Sequence, residues 1–296
     1  MRLMRFAAAI TLLLLAAAGC GGSSAPGATA ELVKETVGSL DPEVRESSGL
    51  AIVEGRLYTH NDSGGAPLLY EINASSGETL RTITVNNATN VDWEDLATDG
   101  TYLYIADTGN NAGSRTEFSV YRLPLETLGQ QDAVDAEQIR FAYPGSEPLD
   151  AEALIAVGGQ LYLFTKGWDD YVCRLYRLPA LPGVHDALLL GEQTLRMLVA
   201  GAAPDATGER VALVGYTDPY NEVLPFKSML VTLDGFGGDA FFSGTTATYE
   251  IGDTPIGGQY EAAAFNSDTE LYLTAEGIDT ATFTLPAKLY RVQLPE

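Results

Sequence analysis

A short acidic motif recurs through the sequence and constrains the fold more than any other feature. It reads RESSGLA from Arg45, VDWEDLA from Val91, LDAEALI from Leu149 and GQYEAAAF from Gly258. We align these copies, and a fifth copy without an acid, on Ser48, Glu94, Glu152, Ala202 and Glu261. The anchors are separated by 46, 58, 50 and 59 residues. Self-similarity at such a period predicts a repeat architecture.

Each repeat contains several short strand-like runs separated by turn residues. A second strand with LY or its equivalent lies about ten residues after each anchor. The third-strand candidates are LLYEI, SVYRLP, RLYRLP, MLVTL and KLYRVQLP, and the fourth-strand candidates are TLRTITV, QIRFAYP, TLRMLVA and ATYEIG. Four strands per repeat predict the blades of an all-β propeller.

The fifth repeat has no fourth-strand candidate, whereas ELVKETVGSL, from Glu31, precedes the first repeat without a partner. Pairing these two ends would leave no open sheet edge. We therefore predict a five-bladed β-propeller in a single domain, residues 31–296, whose N-terminal strand closes the last blade. A six-bladed propeller with one degenerate blade is the alternative.

The first thirty residues have the features of an export signal and a linker. A basic start and the apolar run 6–18 predict a signal peptide over residues 1–19. The small residues of AAAGC before Cys20 resemble a bacterial lipobox, although Ala17 stands where that pattern favours leucine. This resemblance implies lipidation at Cys20, and residues 20–30 are typical of a flexible tether. We expect a lipid-anchored, extracytoplasmic protein of the bacterial cell envelope; plain secretion is the alternative.

The net charge limits the kinds of binding partner, and the cysteine content limits the possible disulfides. The formal net charge is −23, so the surface repels nucleic acid and favours cations. Apart from Cys20 the only cysteine is Cys173, which rules out an intramolecular disulfide once Cys20 is lipidated. We expect Cys173 to be a structural strand residue rather than a catalytic thiol.

Propeller geometry converts the acidic motif into a candidate site. The first strand of each blade lines the central channel, and residues two apart share a face of a strand. The predicted metal ligands are Ser48, Glu94, Glu152 and Glu261. The predicted channel rim consists of Glu46, Asp92, Asp150 and Gln259, and Ala200 and Ala202 leave the fourth blade without a ligand.

Carboxylates that converge in a narrow channel repel one another unless a cation neutralises them. Ligands that are all oxygen favour a hard cation, calcium before magnesium. The alternative is structural: these side chains would bridge the blades by hydrogen bonds to backbone amides.

The loops between second and third strands should border the channel mouth, where function usually resides in such folds. They read HNDSGG, DTGNNAGSR, TKGWDD, YTDPYNE and AEGIDT. The predicted binding residues of this loop face are Asp62, Asp107, Asn110, Asn111, Arg115, Lys166, Tyr216, Asp218 and Glu276. Ordinary turn chemistry also explains DTGNN. Phosphate-binding loops, nucleophile elbows and HExxH motifs do not occur in the sequence.

The channel residues Ser48, Glu94, Glu152 and Glu261 on a five-bladed plan resemble those of the calcium-activated nucleotidases of the apyrase type. LYTHNDSGGAPLLYEI, from Leu57, is similar in layout to the first-blade segment of that family. The resemblance implies a central calcium held by serine and glutamate side chains. Ala202 departs from the family, which has a serine there. WED and DAEAL also resemble segments of uncharacterised bacterial propeller lipoproteins.

Two functions of different classes follow. The first is a non-enzymatic propeller lipoprotein whose loop face binds a small ligand or an envelope protein. The second is a calcium-dependent hydrolase of phosphate esters or nucleotides, in which Asp62 or Asp107 positions a water. A phosphate substrate needs several cationic groups, and the mouth offers mainly Lys166 and Arg115, which favours the first function.

Overall fold

The computed structural model describes residues 32–168, 170–217, 226–254, 259–279 and 282–295. The predicted signal peptide, Cys20, the tether and Asp218 lie outside the described residues. The chain folds into five small β-sheets arranged around one axis as a five-bladed propeller. The predicted fold class is confirmed, with five blades rather than six.

The strands follow one another blade by blade. Strand β1 (Val33–Ser39) precedes the first repeat, which supplies β2 (Ser47–Val53), β3 (Arg56–Asn61), β4 (Leu68–Ile72) and β5 (Thr79–Asn86). The second repeat supplies β6 (Trp93–Thr98), β7 (Tyr102–Asp107), β8 (Phe118–Pro124), β9 (Ala133–Asp135) and β10 (Glu137–Ala142). The third supplies β11 (Ala151–Val157), β12 (Gln160–Thr165), β13 (Val172–Pro179), β14 (Gly183–Asp186) and β15 (Leu188–Thr194).

The fourth repeat supplies β16 (Leu198–Pro204), β17 (Arg210–Tyr216), β18 (Phe226–Asp234) and β19 (Thr245–Thr254). The fifth supplies β20 (Tyr260–Phe265), β21 (Glu270–Ala275), β22 (Ile278–Asp279), β23 (Thr284–Leu285) and β24 (Lys288–Gln293). A short helix, α1 (Leu125–Leu128), and 3-10 turns at Pro42–Val44, Pro144–Ser146 and Phe241–Ser243 lie in the connections.

The ring closes through the N-terminal strand, as predicted. Strand β1 pairs antiparallel with β24, so the fifth blade has the order β1-β24-β21-β20. The innermost strands β2, β6, β11, β16 and β20 each pack against the next, and β20 packs against β2. Apolar side chains fill the spaces between neighbouring blades.

Two blades carry an extra edge strand that the sequence did not predict. Strand β9 leaves the second repeat to pair parallel with β5 of blade 1. Strand β14 leaves the third repeat to pair parallel with β10 of blade 2. Each therefore ties a blade to its neighbour at the outer rim.

The strand predictions need two corrections in blades 3 and 4. TLRMLVA is not the fourth strand of blade 3: that strand is β15, and Leu198 already begins the innermost strand of blade 4. The anchor of blade 4 is Ala200 rather than Ala202, because the pairing of β16 with β17 shifts register between Val199 and Gly201. Both errors arise from placing blade 4 about two residues too late.

Each innermost strand has a β-bulge at its anchor. The register shifts occur at Ser48–Gly49, Glu94, Glu152, Ala200 and Glu261. A bulged residue is left out of the ladder and its side chain is redirected. The anchor side chains therefore do not follow the in-and-out alternation of their strands. Each bulge lies near the first residue of its innermost strand.

Candidate metal centre at the channel mouth

Two groups of three carboxylates meet at the channel mouth and share Glu94. One group contains Asp62, Asp92 and Glu94, and the other contains Glu94, Asp150 and Glu152. Within each group one oxygen from every residue lies within 4.8 Å of the others. The predicted metal ligands Glu94 and Glu152 therefore converge, together with two predicted rim residues and one predicted loop residue.

Glu94 lies at the centre of this arrangement. Its side chain is 3% exposed, and within the described residues Oε1 is buried without a hydrogen-bond partner. Gly109 forms the wall beside it, where an added Cβ would overlap Glu94 Oε1 and lie 2.6 Å from Asp92 Oδ2. A buried carboxyl oxygen without a partner is costly, and a cation bound beside Glu94 Oε1 would give this oxygen a partner.

The DTGNN segment supports both groups, which gives it a role beyond turn formation. Asp107 Oδ1 accepts a hydrogen bond from the amide of Asp92 at 3.1 Å, and the Asn110 amide donates to Asp150 Oδ1 at 2.7 Å. Arg115 pairs with Asp107 at 3.0 Å and donates to the Gly109 carbonyl. The segment thus holds blade 2 and blade 3 carboxylates in one fixed arrangement.

Lys166 places a positive charge inside the channel. Its Nζ lies 2.6 Å from Glu152 Oε2, and both side chains are almost completely buried. The ammonium faces the rings of Trp168 and Tyr216 at 4.6 and 5.5 Å. Although burial opposes its charge, Glu152 raises the pKa of Lys166 well above the ordinary value. Lys166 is therefore a fixed cation of the folded protein.

Burial and mutual repulsion raise the pKa of the surrounding carboxyl groups. Burial, and then Asp92, raises the pKa of Asp62 to about 7. Burial, and then Asp150, raises the pKa of Asp92 to about 6. The pKa of Glu94 lies well above its ordinary value because of burial and Glu152, and that of Glu276 because of burial and Glu261. The site consequently favours protons or another cation.

Asp95, which follows Glu94, is the residue that the sequence analysis missed. It is completely buried, and its Oδ2 accepts the amides of Leu154 and Ala202 at 2.8 and 3.1 Å. Burial raises the pKa of its carboxyl group, and these amides oppose the rise. Asp95 therefore bridges blades 2, 3 and 4 across the axis. The sequence does contain a signal for Asp95: it is an acidic residue directly after the anchor, at the position where blades 3 and 5 have Ala153 and Ala262.

The other predicted ligands have protein partners. Ser48 Oγ donates to the Glu94 carbonyl at 2.7 Å, which joins blades 1 and 2. Glu261 Oε1 accepts from Gln259 Nε2 at 3.0 Å and adds to the negative charge around Glu152. Glu46 is exposed and pairs with Arg45 at 3.5 Å.

The remaining predicted residues of the loop face differ in how deeply their side chains are buried. Tyr216 is buried beside Lys166, Glu276 is half-buried near Glu261, and Asn111 is exposed. Trp93 packs edge-on against His60 between blades 1 and 2. Cys173 is buried in β13, where burial raises the pKa of its thiol.

Comparisons with known proteins show neither a family nor a function for this chain. Neither protein-family models nor curated proteins give a match. A protein of unknown function from Bacteroides thetaiotaomicron is 11% identical with a TM-score of 0.48, covering 89% of this chain and 76% of that one. Kuenenia stuttgartiensis hydrazine synthase is 10% identical with a TM-score of 0.46, covering 85% of this chain and 77% of that one.

The β-propeller domain of Cps50 (Swd1) from Myceliophteria thermophila is 12% identical with a TM-score of 0.42, covering 89% of this chain and all of that one. Similarity at this level carries no argument about fold or function, and the five-bladed plan rests on the sheet topology of this chain. In the part of the chain that the structure describes, no helix combines the length and apolarity required to span a membrane.

Proposed function

We propose that this protein is a lipid-anchored, extracytoplasmic propeller that binds calcium at its channel mouth and presents the surrounding loops to a ligand or partner. One observation carries the proposal: the buried carboxylate of Glu94, with an unpartnered oxygen, is shared by two converging carboxylate groups. An acidic cluster alone would not suffice, because surface acids often cluster without a metal. A buried, unmatched oxygen directed into the cluster is a different observation.

The balance of charge supports a divalent ion. Lys166 places a buried ammonium at the mouth, and among the described residues its direct ion pair is with Glu152. Glu94, Asp62 and Asp92 lie close together without a basic partner among the described residues. Their ligand atoms are all oxygen, and their half-open geometry suits the larger and more flexible coordination shell of calcium better than that of magnesium.

The loop face supports a binding role for the same site. Asp62 and Asp92 are half-buried, whereas Glu94 is buried, so an ion held by these three residues would remain accessible from the mouth. A ligand with oxygen donors could complete its coordination there. The chemistry of such a ligand would be that of a carboxylate, a hydroxyl-rich molecule or an acidic peptide from a partner protein.

The hydrolase alternative receives less support from the described residues. Phosphate transfer requires cationic groups that face the transferred phosphate. Arg115 is engaged by Asp107 and by the Gly109 carbonyl, and Lys166 is engaged by Glu152. A phosphate would have to displace these partners, so the binding role remains our proposal.

Thermal unfolding tests the calcium site. The chain from Ala30 contains every strand of the propeller and would be melted in EGTA, calcium or magnesium. A thousandfold excess of calcium over its dissociation constant adds about 4 kcal/mol to the free energy of unfolding. We expect calcium to raise the melting temperature more than magnesium does, and Glu94→Gln to remove the rise. Glu54→Gln, at an exposed turn, is the matched control. Identical melting in all conditions would refute the calcium site.

The membrane anchor rests on the sequence of residues 1–20 and has its own test. In a bacterial host, the native chain should incorporate labelled palmitate and fractionate with membranes. Cys20→Ala should abolish the label, whereas Cys173→Ala should retain it. Labelling that persists in Cys20→Ala would contradict lipidation at this cysteine.

A further inference from the structure

The two carboxylate groups at the mouth differ in how many oxygens remain free. In the blade 3 group, Asp150 Oδ1 accepts the Asn110 amide and Asp150 Oδ2 accepts Trp168 Nε1 at 2.6 Å. Glu152 Oε2 accepts Lys166 Nζ. Apart from the shared Glu94, Glu152 Oε1 is the unpartnered oxygen of this group. Protein donors therefore already satisfy most of the blade 3 group.

In the group formed by blades 1 and 2, which is Asp62, Asp92 and Glu94, far fewer carboxylate oxygens accept hydrogen bonds. Neither carboxylate oxygen of Asp92 accepts a hydrogen bond from a described residue, and Asp62 accepts only the Ser63 amide, through Oδ1. Glu94 Oε1 is the buried, unpartnered oxygen between them. This side offers several free oxygens from three carboxylates, which is the start of a calcium coordination shell.

Lys166 explains the difference between the two sides. Lys166 is 5% exposed, and its ammonium contacts Glu152 and faces the rings of Trp168 and Tyr216. A compact ammonium with three donors can occupy the place of a metal ion among carboxylates. The chain thus places an ammonium in direct contact with the blade 3 side. Arg115 and Lys166 act on Asp92 only from a distance, and among the described residues no basic group forms an ion pair with Asp62, Asp92 or Glu94.

We propose that calcium binds to the Asp62–Asp92–Glu94 side, and that Lys166 takes the place of a second ion on the Glu152 side. This inference rests on the proposed calcium site and specifies its position and stoichiometry. The native protein then holds one ion at the mouth. Loss of the Lys166 ammonium frees Glu152, so that Glu94, Asp150 and Glu152 become a second site.

Calcium titration of the purified protein by calorimetry, with the bound metal counted by mass spectrometry, tests this arrangement. We expect one ion per native chain and two per Lys166→Met chain, because methionine retains the apolar stem between Trp168 and Tyr216. Lys288→Met also removes one positive charge, but from β24 of blade 5, and should retain one ion. A single ion in Lys166→Met, with unchanged affinity, would overturn the role of Lys166.

A second comparison does not depend on the folding of the lysine variant. We expect Asp92→Asn to raise the calcium dissociation constant about tenfold or more, as loss of groups around a metal typically does, and Asp150→Asn to leave it nearly unchanged. The reverse pattern would place the ion on the blade 3 side and overturn this inference, while leaving the proposed calcium site intact. Absence of calcium binding by the native protein would instead overturn the proposed function itself.

Discussion

The central residue of this propeller is Asp95 rather than any of the predicted metal ligands. Three backbone amides point at its carboxylate: that of Leu96 at 2.8 Å, and those of Leu154 and Ala202. The structural alternative considered from the sequence, in which an acidic side chain bridges blades, is therefore realised one residue after Glu94. The same tripeptide WED thus supplies both a structural bridge and a candidate metal ligand.

Replacing Asp95 should destabilise the whole ring. Asp95→Ala would leave buried amides of blades 2, 3 and 4 without an acceptor, and each buried donor left unsatisfied costs about 1–3 kcal/mol. Urea unfolding followed by tryptophan fluorescence would measure the loss of stability. Asp268→Ala, at an exposed turn, is the control and should change stability little. Equal stability of the two variants would mean that Asp95 does not hold the blades together.

Gly109 allows a second prediction at this scale. Gly109→Ala would place a methyl group on Glu94 Oε1, so either the carboxylate or the loop must move. We expect the variant to fold but to bind calcium much more weakly than the native protein in a calorimetric titration. The control is Gly65→Ala, because an added Cβ at Gly65 meets no atom within 4 Å. Native affinity in Gly109→Ala would show that the wall of the site is not needed.

At the scale of elements, the closing strand β1 buries little of its own side-chain surface. Most of its residues are exposed, and its attachment includes the ladder with β24, the contact of Lys34 with Tyr260 and the pair of Glu35 with Arg291. Its contribution is therefore mainly backbone pairing and protection of an edge. Such an edge strand closes the ring without adding much to the apolar core.

Removing β1 should weaken the ring without changing the other blades. A chain that begins at Leu32 retains the strand, whereas one that begins at Leu40 exposes the edge of β24. Six ladder positions are lost; at about 0.5–1 kcal/mol of net stability for each hydrogen bond, a loss of a few kcal/mol follows. We expect a lower melting temperature and concentration-dependent association of the shorter chain. Matching melting curves and sizes for the two chains would refute a closing role.

The elements also show where sequence reasoning succeeded and where it failed. Period-two runs and turn residues identified most strands and the closure, because these are local signals. The anchor of blade 4 was misplaced because Ala200 and Ala202 carry no polar side chain by which the repeat could be aligned. Strands β9 and β14 pair with a neighbouring blade, and that pairing depends on contacts between distant residues. For the same reason the lysine partner of Glu152 could not be predicted.

At the scale of the whole molecule, the channel mouth links stability to pH. Asp62 has a pKa of about 7 in the folded protein and Asp92 one of about 6; both are near 4 when the chain unfolds. The folded state therefore binds more protons than the unfolded state between these values. The resulting stability is complete below about pH 4 and is lost as the pH rises through the folded pKa values.

Without metal, the protein should consequently melt at a lower temperature at about pH 8 than at about pH 6.5. His60, whose burial lowers its pKa to about 4, has the opposite effect, but chiefly below its unfolded value of 6.5. Calcium competes with protons for the same oxygens, so it should raise the melting temperature more at the higher pH. Asp62→Asn should reduce the pH dependence in EGTA, and Asp268→Asn should not. A metal-free protein that is more stable at the higher pH would show that folding does not raise the pKa values of Asp62 and Asp92.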